Sequence, residues 1–270
     1  MSELPAYLQN ELLAKHIGDS LSGQDPIFPS RENIKKIGPI NTLREFKELG
    51  IQSLKVLLNY THIQPDSQVL DIGCGFGRLA IPLTCYLNAQ GSYRGIDVMP
   101  DAIDDCRRRF GGSHSNFEFQ HIDVHNGLYN PGANMHASDS RFGFADNQFD
   151  VVFMFSVFSH MKPEDVSAYL GQIQRVLKRG GMLMATFFIL NEHARDAIER
   201  GSTRRSFRFP AAGYFADDKN QPESAIAYEQ SRVEQLIQDN GLRHLHTFYG
   251  QWANRRWALS GQDAVICVKP

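Results

Sequence analysis

The run Val69-Leu70-Asp71-Ile72-Gly73-Cys74-Gly75-Phe76-Gly77-Arg78 constrains this chain most. A short apolar stretch, Gln68–Ile72, feeds directly into three glycines at alternate positions. Leu79, Ala80, Leu83, Tyr86 and Leu87 then recur at helical spacing. The pattern predicts a strand, a tight turn and a helix. Glycine lets the backbone turn sharply and approach a ligand closely, and a helix N-terminus offers free N–H groups. Twenty residues after Gly77, Asp97 stands at the end of a second apolar stretch, Tyr93–Val98. A carboxylate there can accept both hydroxyl protons of a ribose, which implies a nucleoside-containing ligand.

The alternation continues along the chain. Met99–Phe110 reads as a helix opened by Pro100-Asp101, Asn116–Val124 as a third strand and Phe149–Phe155 as a fourth. Val166, Tyr169, Leu170, Ile173, Val176 and Leu177 mark a helix with Pro163 at its first turn and Gly180-Gly181 as its stop. Met182–Leu190 reads as a fifth strand. A late helix carries Val233, Leu236 and Ile237, and Leu245–Tyr249 and Ala264–Val268 are the last two strands. Continuously apolar strands separated by amphipathic helices predict a doubly wound α/β sheet. It is mostly parallel, covered by helices on both faces, with one antiparallel strand near the C-terminus.

Before this series, a helix runs from Thr42 to about Tyr60, and residues 1–40, dotted with Pro5, Pro26, Pro29 and Pro39, read as short helices and turns. The expected division is an N-terminal helical segment at 1–60, part of a substrate cap, and a ligand-binding domain at 61–270. Two polar stretches, 126–148 and 191–224, break the rhythm as long loops and are expected to cover substrate. Arg107–Arg109 reads as a solvated helix face, and Arg204, Arg205 and Arg208 are candidates for steering an acidic substrate.

Composition removes several classes. The 28 basic and 30 acidic residues nearly balance, which speaks against a nucleic-acid partner. No apolar run reaches the roughly 18 residues of a membrane span, and the N-terminus has no signal-peptide pattern. The four cysteines form neither a zinc pattern nor a disulfide framework, so reduced thiols and a cytoplasmic location are expected.

The loop also narrows the ligand. The nicotinamide fingerprint G-x-G-x-x-G needs a third glycine at 78, where Arg78 stands. The pattern here is D-x-G-x-G-x-G, and an acid at the strand end suits a cationic ligand group better than a pyrophosphate. No Gly-Lys-Ser/Thr follows, so a Walker site is absent.

These residues resemble the class I S-adenosylmethionine-dependent methyltransferases of the small-molecule type. VLDIGCGFGR is similar to that family's first motif, RGIDV to its ribose motif and HIDV to the segment near the adenine. FDVVFMFSVFSHM and RVLKRGGMLMATFF are similar to its fourth- and fifth-strand motifs, with Lys-Arg-Gly-Gly in place of the usual Lys-Pro-Gly-Gly. The resemblance covers about residues 42–190 and implies a Rossmann-like seven-stranded sheet. S-adenosyl-L-methionine would be the cofactor and S-adenosyl-L-homocysteine the product. Asp71, Gly73, Cys74, Gly75, Gly77 and Arg78 would shape the methionine pocket. Asp97 would hold the ribose, Val98 and Met99 would lie against the adenine, and Asp123 and Val124 would flank it. Phe155 and Ser156 would lie near the sulfonium. The family's DNA-amino motif Pro-Pro-Tyr, its Pro-Cys for cytosine C5 and an acid for a catechol-type metal are all missing after the fourth strand. The expectation is a metal-independent transfer to O, N or S of a small molecule. His160 and His193 are the candidate catalytic residues. The alternatives are a non-catalytic S-adenosylmethionine-binding subunit and a nicotinamide-dependent oxidoreductase.

Overall fold

The computed structural model describes residues 5–21, 26–38, 40–256 and 258–270, so Pro39 lies outside the described residues. Two units are distinguished, Met1–Ile122 and Asp123–Pro270.

The first unit holds α1 (Ala6–Ser20), α2 (Arg31–Lys35), α3 (Leu43–Tyr60), β1 (Gln68–Ile72), α4 (Ala80–Thr84), β2 (Ser92–Asp97), α5 (Pro100–Phe110) and β3 (Phe117–His121). Helix α3 starts where the sequence places it. Thr42 Oγ1 accepts from the Glu45 N–H and the Glu45 carboxylate accepts from the Thr42 N–H, a reciprocal cap that meets two otherwise orphaned donors. Its stripe of Phe46, Leu54, Leu57 and Leu58 is buried, whereas Leu49 is exposed. The N-terminal segment is more regular than its prolines suggest. The fifteen-residue α1 lies along α3, with Glu11 paired to Lys55 at 2.7 Å and the Asn10 amide donating to the Leu58 carbonyl at 3.0 Å.

Strands β1, β2 and β3 are parallel, with Asp71 opposite Gly95 and Asp97 opposite His121. Val69, Leu70, Tyr93, Ile103 and Phe110 are wholly buried, and the Tyr93, Phe110, Phe117 and Phe119 rings pack at 4.9–5.9 Å. The solvated face expected at Arg107–Arg109 is only partly so. Arg107 and Arg108 are exposed, but the Arg109 side chain is 8% exposed. It pairs with Asp105, and its guanidinium donates to the carbonyls of Ile27 and Phe76, which a solvated residue would leave to water.

The helix after the glycine turn is shorter than the apolar spacing predicts, five residues in α4. Pro82 lies inside it and has no N–H to return to the Arg78 carbonyl. That carbonyl oxygen instead abuts Gly50 of α3.

The second unit holds β4 (Phe149–Met154), α6 (Pro163–Val176), β5 (Leu177–Phe187), β6 (Ile189–Leu190), α7 (Glu192–Glu199), β7 (Phe209–Ala211), β8 (Tyr214–Ala216), β9 (Ile226–Glu229), α8 (Gln230–Asp239), β10 (Arg243–Phe248) and β11 (Asp263–Val268). Helix α6 buries Val166, Tyr169, Leu170, Ile173 and Val176, as its period requires. Gly180-Gly181 does not stop it. The helix ends at Val176, and the glycines sit in an irregular stretch of β5 where the register with β4 shifts. Gly180 adopts φ +76° there, and its N–H donates to the Lys269 carbonyl.

The expected strand Met182–Leu190 is divided. Residues through Phe187 pair with β4 and with antiparallel β11, while Ile189–Leu190 turn away to pair with β9. The stretch 191–224, expected as a loop, carries α7 and the β7–β8 hairpin. They complete a four-stranded sheet of order β6-β9-β8-β7 over a core of Phe188, Leu190, Phe207, Ala225 and Ala227. The main sheet is seven-stranded and mostly parallel, ordered β1-β2-β3 within the first unit and β10-β11-β5-β4 within the second, with β11 antiparallel to both of its neighbours, a Rossmann-like arrangement. Among the described residues no helix is long and apolar enough to cross a membrane.

A Cβ at residue 50 would stand 2.5 Å from the Arg78 carbonyl oxygen, a backbone atom with little room to retreat. Gly50→Ala is therefore expected to destabilise the protein by about 1–3 kcal/mol in urea unfolding, despite the better helix propensity of alanine.

Candidate active site

In the first unit the strand ends set the site. The main-chain N–H groups of Gly73 and Cys74 both donate to the Ile96 carbonyl, at 2.8 and 3.1 Å, which folds the turn back over β2. Gly73, Gly75 and Gly77 have φ of +78°, +49° and +77°, the left-handed region where only glycine is unstrained. At Gly77 a Cβ would also meet Cys106 and Phe110 of α5 at 3.3 Å, so this glycine serves helix packing as well as the turn.

Asp97 is 6% exposed and holds the turn open in one shape. Its Oδ2 accepts from the Gly75 N–H at 2.7 Å and its Oδ1 from the Met99 N–H at 2.9 Å. Burial raises its pKa, and the bonds from the backbone of Met99, Gly75 and Val98 act in the opposite sense. Each carboxylate oxygen has a second lone pair, so hydroxyl acceptance is compatible with these bonds. Val98 and Met99 are half-buried beside it, and the Val98 carbonyl lies 3.1 Å from His121 Nε2.

Asp71 is 4% exposed and accepts from the Tyr93 hydroxyl at 2.7 Å. Burial lifts its pKa to about 7, against the Tyr93 hydrogen bond and the charge of Arg78. Arg78, half-buried, is lowered by burial and raised by Asp71. A deeply desolvated carboxylate next to a bare glycine turn suits a ligand with a cationic group, and Asp97 suits a diol. The residues present therefore fit an adenosyl sulfonium amino acid. Cys74 and Cys106 are buried thiols whose pKa burial raises, Cys106 to about 12, so neither is a nucleophile at neutral pH.

In the second unit Asp123 is exposed and accepts from the Asn130 amide at 3.1 Å, while Val124 is buried and bridges to Met135. Phe155 and Ser156 follow β4. Ser156 has φ +60°, an uncommon conformation for a residue with a Cβ. A side-chain network holds it there. The Ser156 N–H donates to Thr186 Oγ1 at 2.7 Å, and the Ser156 and Thr186 hydroxyls both reach Gln262 Oε1, at 3.1 and 2.7 Å. The Gln262 amide donates in turn to the fully buried Ser159 hydroxyl at 3.0 Å.

His160 lies one turn further on. Its Nδ1 is 2.8 Å from the Glu223 carbonyl oxygen, so Nδ1 carries the proton and Nε2 keeps its lone pair. Burial lowers its pKa, as does the charge of Arg205, while Glu223 raises it. His193 is exposed on α7, with Nε2 3.1 Å from the Ala253 carbonyl. Arg205 pairs with Asp217 at 3.2 Å and lies over the Phe188 ring.

Sequence reasoning missed Thr186, Ser159, Gln262 and Asp263. The buried Asp263 accepts from the main chain of Ile189 and Gly250 and from Trp252 Nε1, each at 2.7 Å, and burial lifts its pKa to about 6. A polar Gln-Asp pair opening an otherwise apolar final strand was the available signal.

Residues 69–181 match the family model described as "Methyltransferase domain". The chain is 25% identical over 81 residues to the 23S rRNA (uracil(1939)-C(5))-methyltransferase RlmD of Photobacterium angustum, covering 30% of this chain and 37% of that protein. It spans about a third of the length of the curated relatives it matches. Among solved structures, a SAM-dependent methyltransferase from Methanosarcina mazei is similar, with a TM-score of 0.53 and 22% identity over 79% of this chain and 96% of that one. Magnesium protoporphyrin IX methyltransferase from Synechocystis PCC 6803, solved with SAH bound, gives a TM-score of 0.52 and 16% identity over 97% of this chain and 99% of that one.

The Asp71 pKa has a consequence for stability. Its folded value, about 7, exceeds the unfolded value of 3.8, so the folded protein holds the proton more tightly between them. Stability from this group is full below the unfolded value and lost as pH rises through about 7. Asp71→Asn, which mimics the protonated acid, is expected to raise the thermal midpoint at about pH 8 and to leave it unchanged near pH 4. Scanning calorimetry at the two pH values checks this.

Family model, sheet order and glycine turn agree: residues 69–181 match a methyltransferase domain, and the chain is similar there to the S-adenosylmethionine-dependent methyltransferases.

Proposed function

We propose that the protein transfers a methyl group from S-adenosylmethionine to an oxygen, nitrogen or sulfur of a small-molecule acceptor. The observation that carries the cofactor half is the pairing of two buried carboxylates, Asp71 and Asp97, with the left-handed glycine turn between them in sequence. When bound, the cofactor supplies an electrophilic methyl group on a positive sulfur. Asp97 accepts from the ribose hydroxyls while its bonds to Gly75 and Met99 keep the turn in register. Asp71 offers negative charge to the methionine end. Gly73, Gly75 and Gly77 keep the backbone free of side chains where the ligand passes.

The acceptor half rests on the second unit. In-line displacement depends on alignment and on keeping water out. The folded insert, with α7 and the β7–β8 hairpin, supplies an apolar core of its own and is a suitable cover. His160, neutral with a lone pair on Nε2, is the proposed base. His193, tied to the Ala253 carbonyl, is proposed as an anchor of α7. The near balance of charge favours a small acceptor over RNA, and four unpaired cysteines favour a reducing cytoplasm.

Asp97→Ala is expected to weaken S-adenosylmethionine binding by roughly tenfold to a hundredfold, the worth of hydrogen bonds to a charged group. Titration calorimetry, with circular dichroism to establish retention of the fold, tests this. Unchanged affinity in the folded variant would remove Asp97 from the cofactor site and with it the proposed reading.

A further inference from the structure

The two polar inserts meet at His160 in a closed set of hydrogen bonds. The Asn126 amide donates to the His160 carbonyl at 3.2 Å. His160 Nδ1 donates to the Glu223 carbonyl at 2.8 Å. The Glu223 carboxylate accepts from the Gly127 N–H, which returns the path to the first insert. A Cβ at 127 would stand 2.6 Å from Glu223 Oε2, so a side chain there would push the carboxylate off the Gly127 N–H. The ring of Tyr129 completes the surround, edge-on to His160 at 5.6 Å. Residues far apart in sequence thus hold one histidine by its backbone and by its ring. Nothing in a purely structural histidine calls for this, because one bond from Nδ1 would satisfy it.

We propose that Glu223 is a positioning residue, which through its carboxylate bond to Gly127 fixes His160 as the Nδ1–H tautomer and so selects acceptors that carry a removable proton on oxygen or nitrogen. This rests on the methyltransferase reading above. The acceptor's O–H or N–H proton passes to His160 Nε2, and the freed lone pair forms the bond to the methyl carbon. The carbon–sulfur bond breaks with its electron pair going to sulfur, and the imidazolium later releases its proton to solvent. The charges that act on the ring are Arg205, whose cation disfavours the imidazolium, and Glu223, which favours it, while the Tyr129 ring packs edge-on. Burial and Arg205 keep the base neutral at pH 7, ready to accept a proton.

The test needs no acceptor. Long-range proton–nitrogen NMR on histidine-labelled full-length protein, with His160 assigned through His160→Gln, reads the tautomer and titration of this one ring. The wild type is expected to show a protonated Nδ1, a bare Nε2 and a pKa below the ordinary 6.5. Glu223→Ala is expected to mix the tautomers and to move the titration further below 6.5, because a charge that favours the imidazolium is lost, while Glu223→Gln, which keeps an acceptor oxygen but no charge, restores the wild-type tautomer. Gly127→Ala, which displaces the carboxylate without changing charge, is expected to mix the tautomers as Glu223→Ala does. A wild-type His160 protonated on Nε2 overturns the proposal, as does a folded Glu223→Ala whose His160 signals match the wild type. S-adenosylhomocysteine affinity, measured on the same samples, fails separately if the cofactor reading is wrong.

Discussion

One carboxylate organises the glycine turn of this molecule. Asp97 ends β2 and reaches across to the Gly75 N–H, while its other oxygen takes the Met99 N–H that opens α5. Strand, turn and helix are fastened at a single buried charge. The charge is tolerable because backbone donors surround it. The three glycines then follow from the positive φ of the turn, which a Cβ would strain, and at Gly77 from the closeness of Cys106 and Phe110 as well.

Burial near this point is used in two different ways. Asp97 is compensated by backbone dipoles and holds a shape. Asp71, met by the neutral Tyr93 hydroxyl and by the charge of Arg78, is lifted by burial to a pKa of about 7. Asp263, in the second unit, resembles Asp97: three donors gather on it, and it ties the break between β5 and β6 to the turn at Gly250. A chain that closes its turns on buried acids gains definition at the strand ends, where ligands of open α/β sheets bind.

The polar clusters of the second unit are built on another principle. The strained Ser156 and His160 are each held by several partners from distant segments, Thr186, Gln262 and Ser159 for one, Asn126 at the backbone and Glu223 at the ring for the other. Over-determination of this kind keeps an uncommon backbone conformation in place and fixes a tautomer. The insert that supplies Glu223 is a folded piece with its own core of Phe188, Phe207 and Ala225, which gives the clasp a firm support.

Local sequence determined the order of strands and helices, the glycine turn and the two acids beside it, because each depends on contacts between near neighbours and on a period of two or 3.6 residues. The α6 stripe and the start of α3 at Thr42 were legible for the same reason. Tertiary structure alone decided the rest. The division of the fifth strand at Phe188 follows from a second sheet whose partner lies forty residues on. The burial of Arg109 follows from carbonyls at Ile27 and Phe76, and the shortness of α4 from a proline beside a packed glycine. The Ser156–Gln262 and His160–Glu223 links join residues 106 and 63 positions apart. No periodicity marks such pairs, since hydrogen bonds between distant polar residues leave no repeating trace along the chain.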